Sequence, residues 1–284
     1  MYNHMLVYIR SKTVKGIDYL YLVKSVWDRK RKTSKQQTIK YLGEASTVTK
    51  DDIPAQFRED TKINSYLVKK LPNSTEKIAI ENKMQEKFFH ALTNGNKNAA
   101  QMIYDQFITS NNLGQFYRKI FIPTMTKIGD LWEKKKLGVA AEHVASNVAQ
   151  NLIKNISEKN KKTGKNGNVL LTTPTGENHS IGCSVLESYL QNKGFTVYNL
   201  APATPTRYVL DFLKSTKPDA IVVSITLAEN LRSGQRLVSK LRQEEKNIPI
   251  YVGGQAFQDS PKVKFDAEII ENFNDFNSII KILK

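Results

Sequence analysis

Residues 168–284 alternate short apolar runs with helical patterns, and this alternation limits the fold more than any other feature of the chain. The β-branched runs are Asn168–Thr173, Thr196–Leu200, Ala220–Thr226 and Pro249–Val252, with a short fifth strand expected near Ala267–Ile270. Helical patterns lie between and after them, at Ile181–Gln191, Pro205–Ser215, Asn230–Gln243 and Asp275–Leu283. Strands and helices that alternate at this spacing form βαβ units. We therefore predict a doubly wound parallel sheet of the α/β class over residues 166–284.

The preceding segment, residues 71–165, has helical patterns throughout. The candidate helices are Glu76–Thr93, Lys97–Ser110, Leu113–Lys136 and Val139–Glu158. Pro123 lies inside the third of these and should kink it or mark its first turn. Four helices with short connections predict a four-helix bundle. The polar, glycine-punctuated run 159–167 (KNKKTGKNG) is typical of an interdomain linker.

Residues 1–70 have a different character. Three strand-like runs, Met5–Arg10, Ile17–Trp27 and Gln36–Leu42, predict a small β-meander with a basic hairpin tip at Asp28–Ser34. A meander of this size has little stability alone. Residues 46–75 are predicted to be a polar connection.

Charge is distributed unevenly along the chain, whose formal net charge is +16. Residues 1–70 contain 15 Lys and Arg against 7 Asp and Glu, whereas residues 168–284 contain 13 against 12. A basic field attracts phosphate backbones, so residues 1–70 are a candidate DNA-binding module. The alternative is that the charge only supports solubility.

Two further features concern the compartment. No apolar run approaches the ~20 residues that span a bilayer, and the first residues lack the pattern of a secretory signal. The single cysteine, Cys183, excludes an internal disulfide. We expect a cytoplasmic protein with no membrane partner.

Polar and small residues follow the predicted strands at the edge where ligands bind in a doubly wound sheet. The first strand is followed by the long loop 173–182. Ser224 and Thr226 follow the third strand, and Gly253 and Gly254 follow the fourth. We expect these three loops to meet at one ligand-binding edge of a flavodoxin-like sheet.

The loop contains the run Glu177-Asn178-His179-Ser180-Ile181-Gly182. This run resembles the Asp-x-His-x-x-Gly signature of cobalamin-binding proteins, with Glu177 in place of Asp. The resemblance implies that His179 displaces the dimethylbenzimidazole of the cofactor and becomes the lower axial ligand of cobalt. It also implies that Glu177 holds the other imidazole nitrogen, which fixes the tautomer.

The same resemblance assigns roles to the later loops. It implies that Ser224 completes a relay of histidine, carboxylate and hydroxyl. It places Thr226, Gly253 and Gly254 beside the nucleotide tail of the cofactor, where side chains must be small. Cys183, next to the motif, is expected to be a small core residue.

A second constellation lies in the predicted bundle, where Trp132 is followed after nine residues by Glu142 and His143. In isolation this is a core tryptophan with a solvated Glu-His pair. The spacing resembles that of the CarH/LitR-type cobalamin photoreceptors, and the resemblance covers residues 76–284. It implies that the bundle covers the upper face of adenosylcobalamin, with Trp132 beside the adenosyl group and Glu142 and His143 in polar contact around it.

Two departures from that family limit what the resemblance implies. Residues 1–70 show no MerR-type winged helix. Glu133 occupies the position where a histidine follows the tryptophan in the best-known members, and a carboxylate substitutes poorly for imidazole on Co(III).

Three functions are therefore considered. The first is a cobalamin-dependent sensor or regulator that holds adenosylcobalamin, responds to light, acts on DNA or a partner through residues 1–70, and forms homo-oligomers. The alternative is a corrinoid shuttle protein for methyl transfer, which carries methylcobalamin. The third is the cobalamin subunit of a mutase, which lacks its substrate-binding barrel in this chain. In none of these is the chain expected to be an enzyme by itself.

Overall fold

The computed structural model describes residues 7–14, 17–28, 33–45, 48–70, 74–259, 263–270, 273 and 280. Most of the basic hairpin tip and nearly all of the predicted final helix, 275–283, lie outside the described residues. The chain divides into two compact units, Met1–Ile80 and Glu81–Lys284. The finer boundaries predicted after residues 70 and 165 stay predictions.

The first unit contains the predicted meander. Its antiparallel strands, in the order β1-β2-β3, are β1 (Val7–Val14), β2 (Ile17–Asp28) and β3 (Thr33–Glu44). Ile9 is paired with Leu22 across the first two strands, and both side chains are buried. The strands are longer than their patterns predicted, because their outer ends contain mainly polar residues.

The prediction of a polar connection over residues 46–75 was wrong in part. This stretch forms short 3-10 turns at Lys50–Asp52 and Ala55–Phe57, followed by helix α1 (Thr61–Lys70). Ile63 and Leu67, four residues apart on α1, are buried and complete the core of the meander together with Ile53. Over residues 61–67 of α1, where burial is described, two apolar positions are buried, so the helical period was too weak to detect among polar neighbours.

The four predicted helices come next, and the first of them crosses from the first unit into the second after Ile80. They are α2 (Ser74–Thr93), α3 (Lys97–Ile108), the segment Leu113–Glu133, and α6 (Val139–Asn160). The third segment consists of α4 (Leu113–Phe116), a π-helical turn (Tyr117–Phe121) and α5 (Ile122–Glu133). Pro123 lies in the first turn of α5, as predicted, where its missing N–H has the smallest cost.

The doubly wound sheet is confirmed. Its strands are β4 (Asn168–Thr172), β5 (Thr196–Asn199), β6 (Ala220–Ser224), β7 (Ile250–Gly253) and β8 (Glu268–Ile270). The helices are α7 (Ile181–Asn192), α8 (Thr206–Thr216), α9 (Leu231–Glu244) and α10 (Ala256–Asp259). All pairs are parallel and the order is β5-β4-β6-β7-β8, the flavodoxin-like order, so the strand order reverses between β4 and β6.

Each face of this sheet has its own apolar core. Helices α8 and α9 cover one face, and α7 covers the other, where the apolar core continues into the bundle. Bundle and sheet are joined by a buried hydrogen bond in which Tyr117 Oη donates to Ser188 Oγ at 2.8 Å. Among the described residues, no helix is both long and apolar enough to cross a membrane.

The predicted linker is not a free tether. Lys162 N donates to Gln191 O, and Lys165 N donates to Gly194 O at 2.8 Å. The side-chain amide of Asn166 donates to Lys193 O at 2.6 Å. Residues 161–167 are thus held against the turn between α7 and β5, because their polar groups find backbone partners there.

Candidate functional site

The loop after β4 lies at the point where the strand order reverses. Thr173 Oγ1 donates to the carbonyl of Glu177 at 3.1 Å and accepts from Ala203 N at 2.8 Å. Gly176 has a backbone φ of 93°, which residues other than glycine rarely adopt. These features bend the loop so that Glu177 is completely buried while His179 is half-exposed.

The buried carboxylate of Glu177 accepts five hydrogen bonds. Its Oε1 accepts from His179 Nδ1 at 2.6 Å and from His179 N at 3.1 Å. Its Oε2 accepts from Thr226 N at 2.9 Å, Leu227 N at 3.0 Å and Asn230 Nδ2 at 3.0 Å. A buried charge is tolerated only when it is paired in this way.

This network sets the charge of both side chains. Burial by itself raises the pKa of Glu177, but the hydrogen bonds from His179, Leu227 and Asn230 outweigh it and lower the pKa to about 2. The hydrogen bond to Glu177 raises the pKa of His179, against the opposite effect of burial, and the charges of Glu177 and Glu142 raise it further. Glu177 is therefore an anion at neutral pH and keeps a proton on Nδ1 of His179.

The other nitrogen of His179, Nε2, has no hydrogen-bond partner among the described residues. In neutral imidazole with Nδ1 protonated, Nε2 carries a lone pair that can bind a metal. No group of three or more His, Cys, Asp or Glu that could hold a metal lies within the described part of the chain. A metal at His179 must therefore bring its other ligands with it, and a tetrapyrrole-like macrocycle such as a corrin does so. The donor set fits cobalamin.

Ser224 does not have the role that the resemblance implied. Its hydroxyl is not among the described hydrogen-bond donors to Glu177; it lies beside Cys183, which it hydrogen-bonds, and a Cβ on Gly182 would lie 3.0 Å from its Oγ. Burial raises the pKa of Cys183 to about 12, so the thiol stays neutral. In place of Ser224, Asn230 and two backbone amides hold the carboxylate.

The two glycines after β7 are required by the protein itself. Gly254 has a φ of 121°, and a Cβ there would lie 2.2 Å from the carbonyl oxygen of Ile225. A Cβ on Gly253 would lie 3.0 Å from the carbonyl oxygen of Ile270. The loops after β6 and β7 can thus approach closely, which is sufficient reason for small residues here. Contact with a nucleotide tail stays a prediction for both glycines and for Thr226.

The bundle constellation lies at the turn between α5 and α6. Trp132 is 44% exposed. It is therefore not a core tryptophan, which was the interpretation of this residue taken in isolation. Glu142 Oε2 and His143 Nδ1 are 2.6 Å apart, and Ser146 Oγ donates to Glu142 Oε1 at 2.6 Å. The charge of Glu142 acts on His179, so the structure brings these two residues into electrostatic range.

Helix α6 also contacts the loop directly, since Gln150 Nε2 lies 3.4 Å from Ser180 Oγ. The loop 173–182 and helix α6 therefore border one region. The side chains of Trp132 and His143 are exposed, and their contact with a cofactor stays a prediction.

Asn230 was missed as a site residue. It lies at the start of the predicted helix Asn230–Gln243, where asparagine is expected as a cap. In the structure its side-chain amide points at Glu177 instead. No pattern links positions 177 and 230 in the sequence, so only the fold could show the contact.

A free imidazole nitrogen at the switch point of a flavodoxin-like sheet, bordered by a helical bundle, fits a cobalamin site, and comparison with known families supports cobalamin binding. Residues 167–272 match a family described as a B12 binding domain. Residues 84–156 match a second family with the same description. The sheet and the bundle thus each match a B12 binding family.

Curated relatives of this region are of two kinds. Dimethylamine corrinoid proteins 1 and 3 of Methanosarcina acetivorans are 28% and 30% identical over 138 and 136 residues. Each match covers 46% of this chain and 63% of the relative. The HTH-type transcriptional repressor CarA of Myxococcus xanthus is 21% identical over 183 residues, 64% of this chain and 62% of the repressor. The chain therefore spans less than two thirds of these relatives.

A solved structure shows the same fold. The monomethylamine corrinoid protein of Methanosarcina barkeri superposes with a TM-score of 0.60 and 16% identity, over 71% of this chain and 99% of that protein. The relatives are named as corrinoid proteins and a repressor rather than as enzymes, in agreement with the expectation that this chain is not itself an enzyme. They favour corrinoid proteins over the photoreceptors that the sequence suggested.

Proposed function

We propose that this chain is a corrinoid carrier for methyl transfer, with cobalamin bound through His179 beneath the helical bundle. The observation that carries the proposal is the Nε2 atom of His179, which has no described partner while Nδ1 is fixed by a buried carboxylate. When bound, the corrinoid supplies a cobalt centre that can accept and release a methyl group.

The residues of the chain have separate tasks in such a carrier. His179 would hold the cobalt of the corrinoid through Nε2. Glu177 orients the ring and keeps the proton on Nδ1, and its own low pKa prevents it from taking that proton. Asn230 and the amides of Thr226 and Leu227 fix the carboxylate. The bundle would shield the bound cofactor from water.

Support for methyl transfer over regulation comes from the relatives. The dimethylamine corrinoid proteins are more similar in sequence than the CarA repressor. Glu133, in place of the histidine that follows the tryptophan in light-responsive relatives, also weighs against a photoreceptor. A carrier requires a partner that donates the methyl group and one that accepts it, and we propose methyltransferases for both.

Loading experiments test this proposal. Protein purified without cofactor is titrated in the dark with methylcobalamin and with adenosylcobalamin, and absorbance reports the amount bound and its axial ligand. Methylcobalamin carrying a labelled methyl group is then bound and incubated with extract of the source cells and a thiol acceptor. We expect binding of methylcobalamin with His179 as ligand, and label transfer faster than from the same amount of free methylcobalamin. Failure to bind any corrinoid, or transfer no faster than from the free cofactor, contradicts the carrier.

The second candidate is the regulator, which the spacing of Trp132, Glu142 and His143 favours. In that protein adenosylcobalamin is the preferred form, light removes the adenosyl group, and the contacts of Trp132 and Glu142 with it exist in one state only. An assembly change of a homo-oligomer would then pass the signal to DNA or a partner. Selective binding of adenosylcobalamin, with a spectral change and a shift in sedimentation after green light, would replace the carrier by the regulator.

A further inference from the structure

One face of the N-terminal meander is exposed and rich in aromatic side chains. Paired residues of neighbouring strands project from the same face, and the pairs Arg10/Tyr21, Lys12/Tyr19 and Tyr21/Tyr41 define one face of the sheet. Ile9, Leu20 and Leu22 project from the other face into the core. We call the first one the open face; its members are Tyr8, Arg10, Lys12, Tyr19, Tyr21, Val23, Ser25, Trp27, Ser34, Gln36, Thr38 and Tyr41. Val23 is buried and Tyr8, Tyr19 and Tyr21 are half-buried, whereas Trp27 and Tyr41 are exposed.

Two aromatic side chains of the open face, Tyr41 and Trp27, are exposed, and half-buried tyrosines lie beside Tyr41. The ring of Tyr41 lies 5.1 Å from that of Tyr21 and 6.3 Å from that of Tyr19, centroid to centroid. Tyr41 is 43% exposed and Trp27, further along β2, is 64% exposed. Rings left this open are typical of interaction sites, because burying them would otherwise stabilise the fold.

Polar groups on the same face are ordered around the rings. Gln36 donates from its side-chain amide to Tyr8 Oη at 2.5 Å and accepts from the guanidinium of Arg10. Arg10 and Lys12 are exposed, and the acidic neighbour at this edge is Glu44, which is paired with Tyr19. Beyond the face, residues 1–70 contain 15 basic against 7 acidic residues, including four consecutive basic residues at 29–32 between β2 and β3. Phosphate groups complement this charge.

The rings indicate which phosphate-bearing partner fits. A base can stack on a protein ring only when it is not enclosed in a duplex, and such stacking tolerates any sequence. A sheet that combines exposed aromatics with neighbouring cations is the platform that single-stranded nucleic acids use. The B12 binding matches begin at residue 84, so the cofactor site does not account for this face.

We propose that the open face of residues 7–44 binds single-stranded nucleic acid, with bases stacked on Trp27 and Tyr41 and phosphates on Arg10 and Lys12. This activity goes beyond cobalamin binding and does not depend on it. From the sequence, only a basic region that could attract DNA was predicted; the structure adds the face and the stacking residues.

Trp27 itself provides the signal for a test in the full-length chain. The protein has two tryptophans, so Trp132→Phe leaves Trp27 as the sole indole emitter. This variant is titrated with oligo(dT), oligo(U) and a duplex of mixed sequence at several salt concentrations. We expect saturable quenching by a single strand and an affinity that falls as salt rises, by a log–log slope of about −0.7 for each phosphate contacted. The dT and U arms decide between DNA and RNA.

Matched variants locate the site. Trp27→Ala, followed with a labelled oligonucleotide, should weaken binding at least about fivefold. Arg10→Ala with Lys12→Ala should reduce the salt slope, whereas Arg236→Ala with Lys240→Ala removes two exposed charges from α9 and should leave binding unchanged. Unchanged circular dichroism shows that each variant is folded, and retained cobalamin binding shows in addition that the second unit is intact.

Four outcomes would overturn the proposal. They are unquenched Trp27 emission with every single strand, equal or tighter binding of the duplex, equal binding of polyglutamate, and equal losses in the two double variants. Because cobalamin binding is measured on the same samples, failure here is distinct from failure of the carrier.

Discussion

The chain contains two Glu–His pairs with the same oxygen–nitrogen distance and very different surroundings. Glu177 Oε1 and His179 Nδ1 are 2.6 Å apart, as are Glu142 Oε2 and His143 Nδ1. The side chain of Glu177 is wholly buried, whereas that of Glu142 is 23% exposed and His143 is 72% exposed. The Glu–His contact is the same in both pairs, so what distinguishes them is the set of groups that hold the glutamate.

Because of that difference, His179 is held in one orientation, whereas His143 is free to adapt. In addition to the hydrogen bonds from His179, Glu177 accepts hydrogen bonds from Thr226, Leu227 and Asn230. These three residues follow β6 and lie some 50 residues away in sequence. Beyond its histidine, Glu142 accepts from Ser146 one turn along its own helix. Exposed pairs of the second kind contribute little to stability because water screens them. We infer that the sheet provides affinity for cobalt and that the bundle adapts to the group above it.

The largest expected effect comes from exchanging the two histidines in turn for alanine. His179→Ala should weaken cobalamin binding about 100-fold, or return the bound cofactor to the spectrum of its base-on form, because the cobalt ligand is lost. His143→Ala should leave affinity within about twofold, because its ring faces solvent. Absorbance titration measures both. Equal effects of the two substitutions would remove the contrast between the pairs.

A smaller effect is expected from substituting the residue that hydrogen-bonds each glutamate. Asn230→Ala leaves Glu177 with four of its five hydrogen bonds. We therefore expect cobalamin affinity to fall about tenfold, the lower end of the range for residues that hold a metal ligand in place. The matched change on the bundle side, Ser146→Ala, should have no measurable effect. A shift in the Co(II)/Co(I) reduction potential for Asn230→Ala alone would separate positioning from a loss of folding. Unchanged affinity and potential would show that the two amides hold Glu177 without help.

The smallest effect is expected at the residue predicted to contact the upper ligand of the cofactor, Trp132. Trp132→Ala should change the ratio of the dissociation constants for adenosylcobalamin and methylcobalamin by about threefold to tenfold, the contribution of one aromatic contact. Binding of methylcobalamin, which has no large upper group, should be nearly unaffected. A ratio that is the same in both proteins would mean that Trp132 does not touch the upper group.

The sequence predicted the sheet well for a physical reason. Strands β4 and β6 are buried on both faces, and such strands consist of continuous β-branched and apolar residues that are easily recognised. Helix α1 was missed because it buries one narrow stripe against a small sheet. The π-helical turn at Tyr117–Phe121 was not predicted either, since a π-turn needs no distinctive sequence.

The site was predicted where its residues are adjacent in sequence and missed where they are not. Glu177 and His179 lie two residues apart, and their contact follows from the motif. Ser224 was assigned to Glu177 by resemblance, yet the glutamate reaches the amides of the next loop instead. These partners lie some 50 residues away in sequence, so no local pattern could have predicted them.

The hydrogen bonds of residues 161–167 have a mechanical consequence. This segment is fastened to the end of α7 and the following turn at Gln191, Lys193 and Gly194. The end of α6 is therefore tied to the α/β domain by these hydrogen bonds, in addition to the apolar core that the bundle shares with α7 and the buried hydrogen bond between Tyr117 and Ser188. Cleavage of the 161–167 segment would remove the covalent link but leave that shared core, so we expect the bundle and the α/β domain to stay associated.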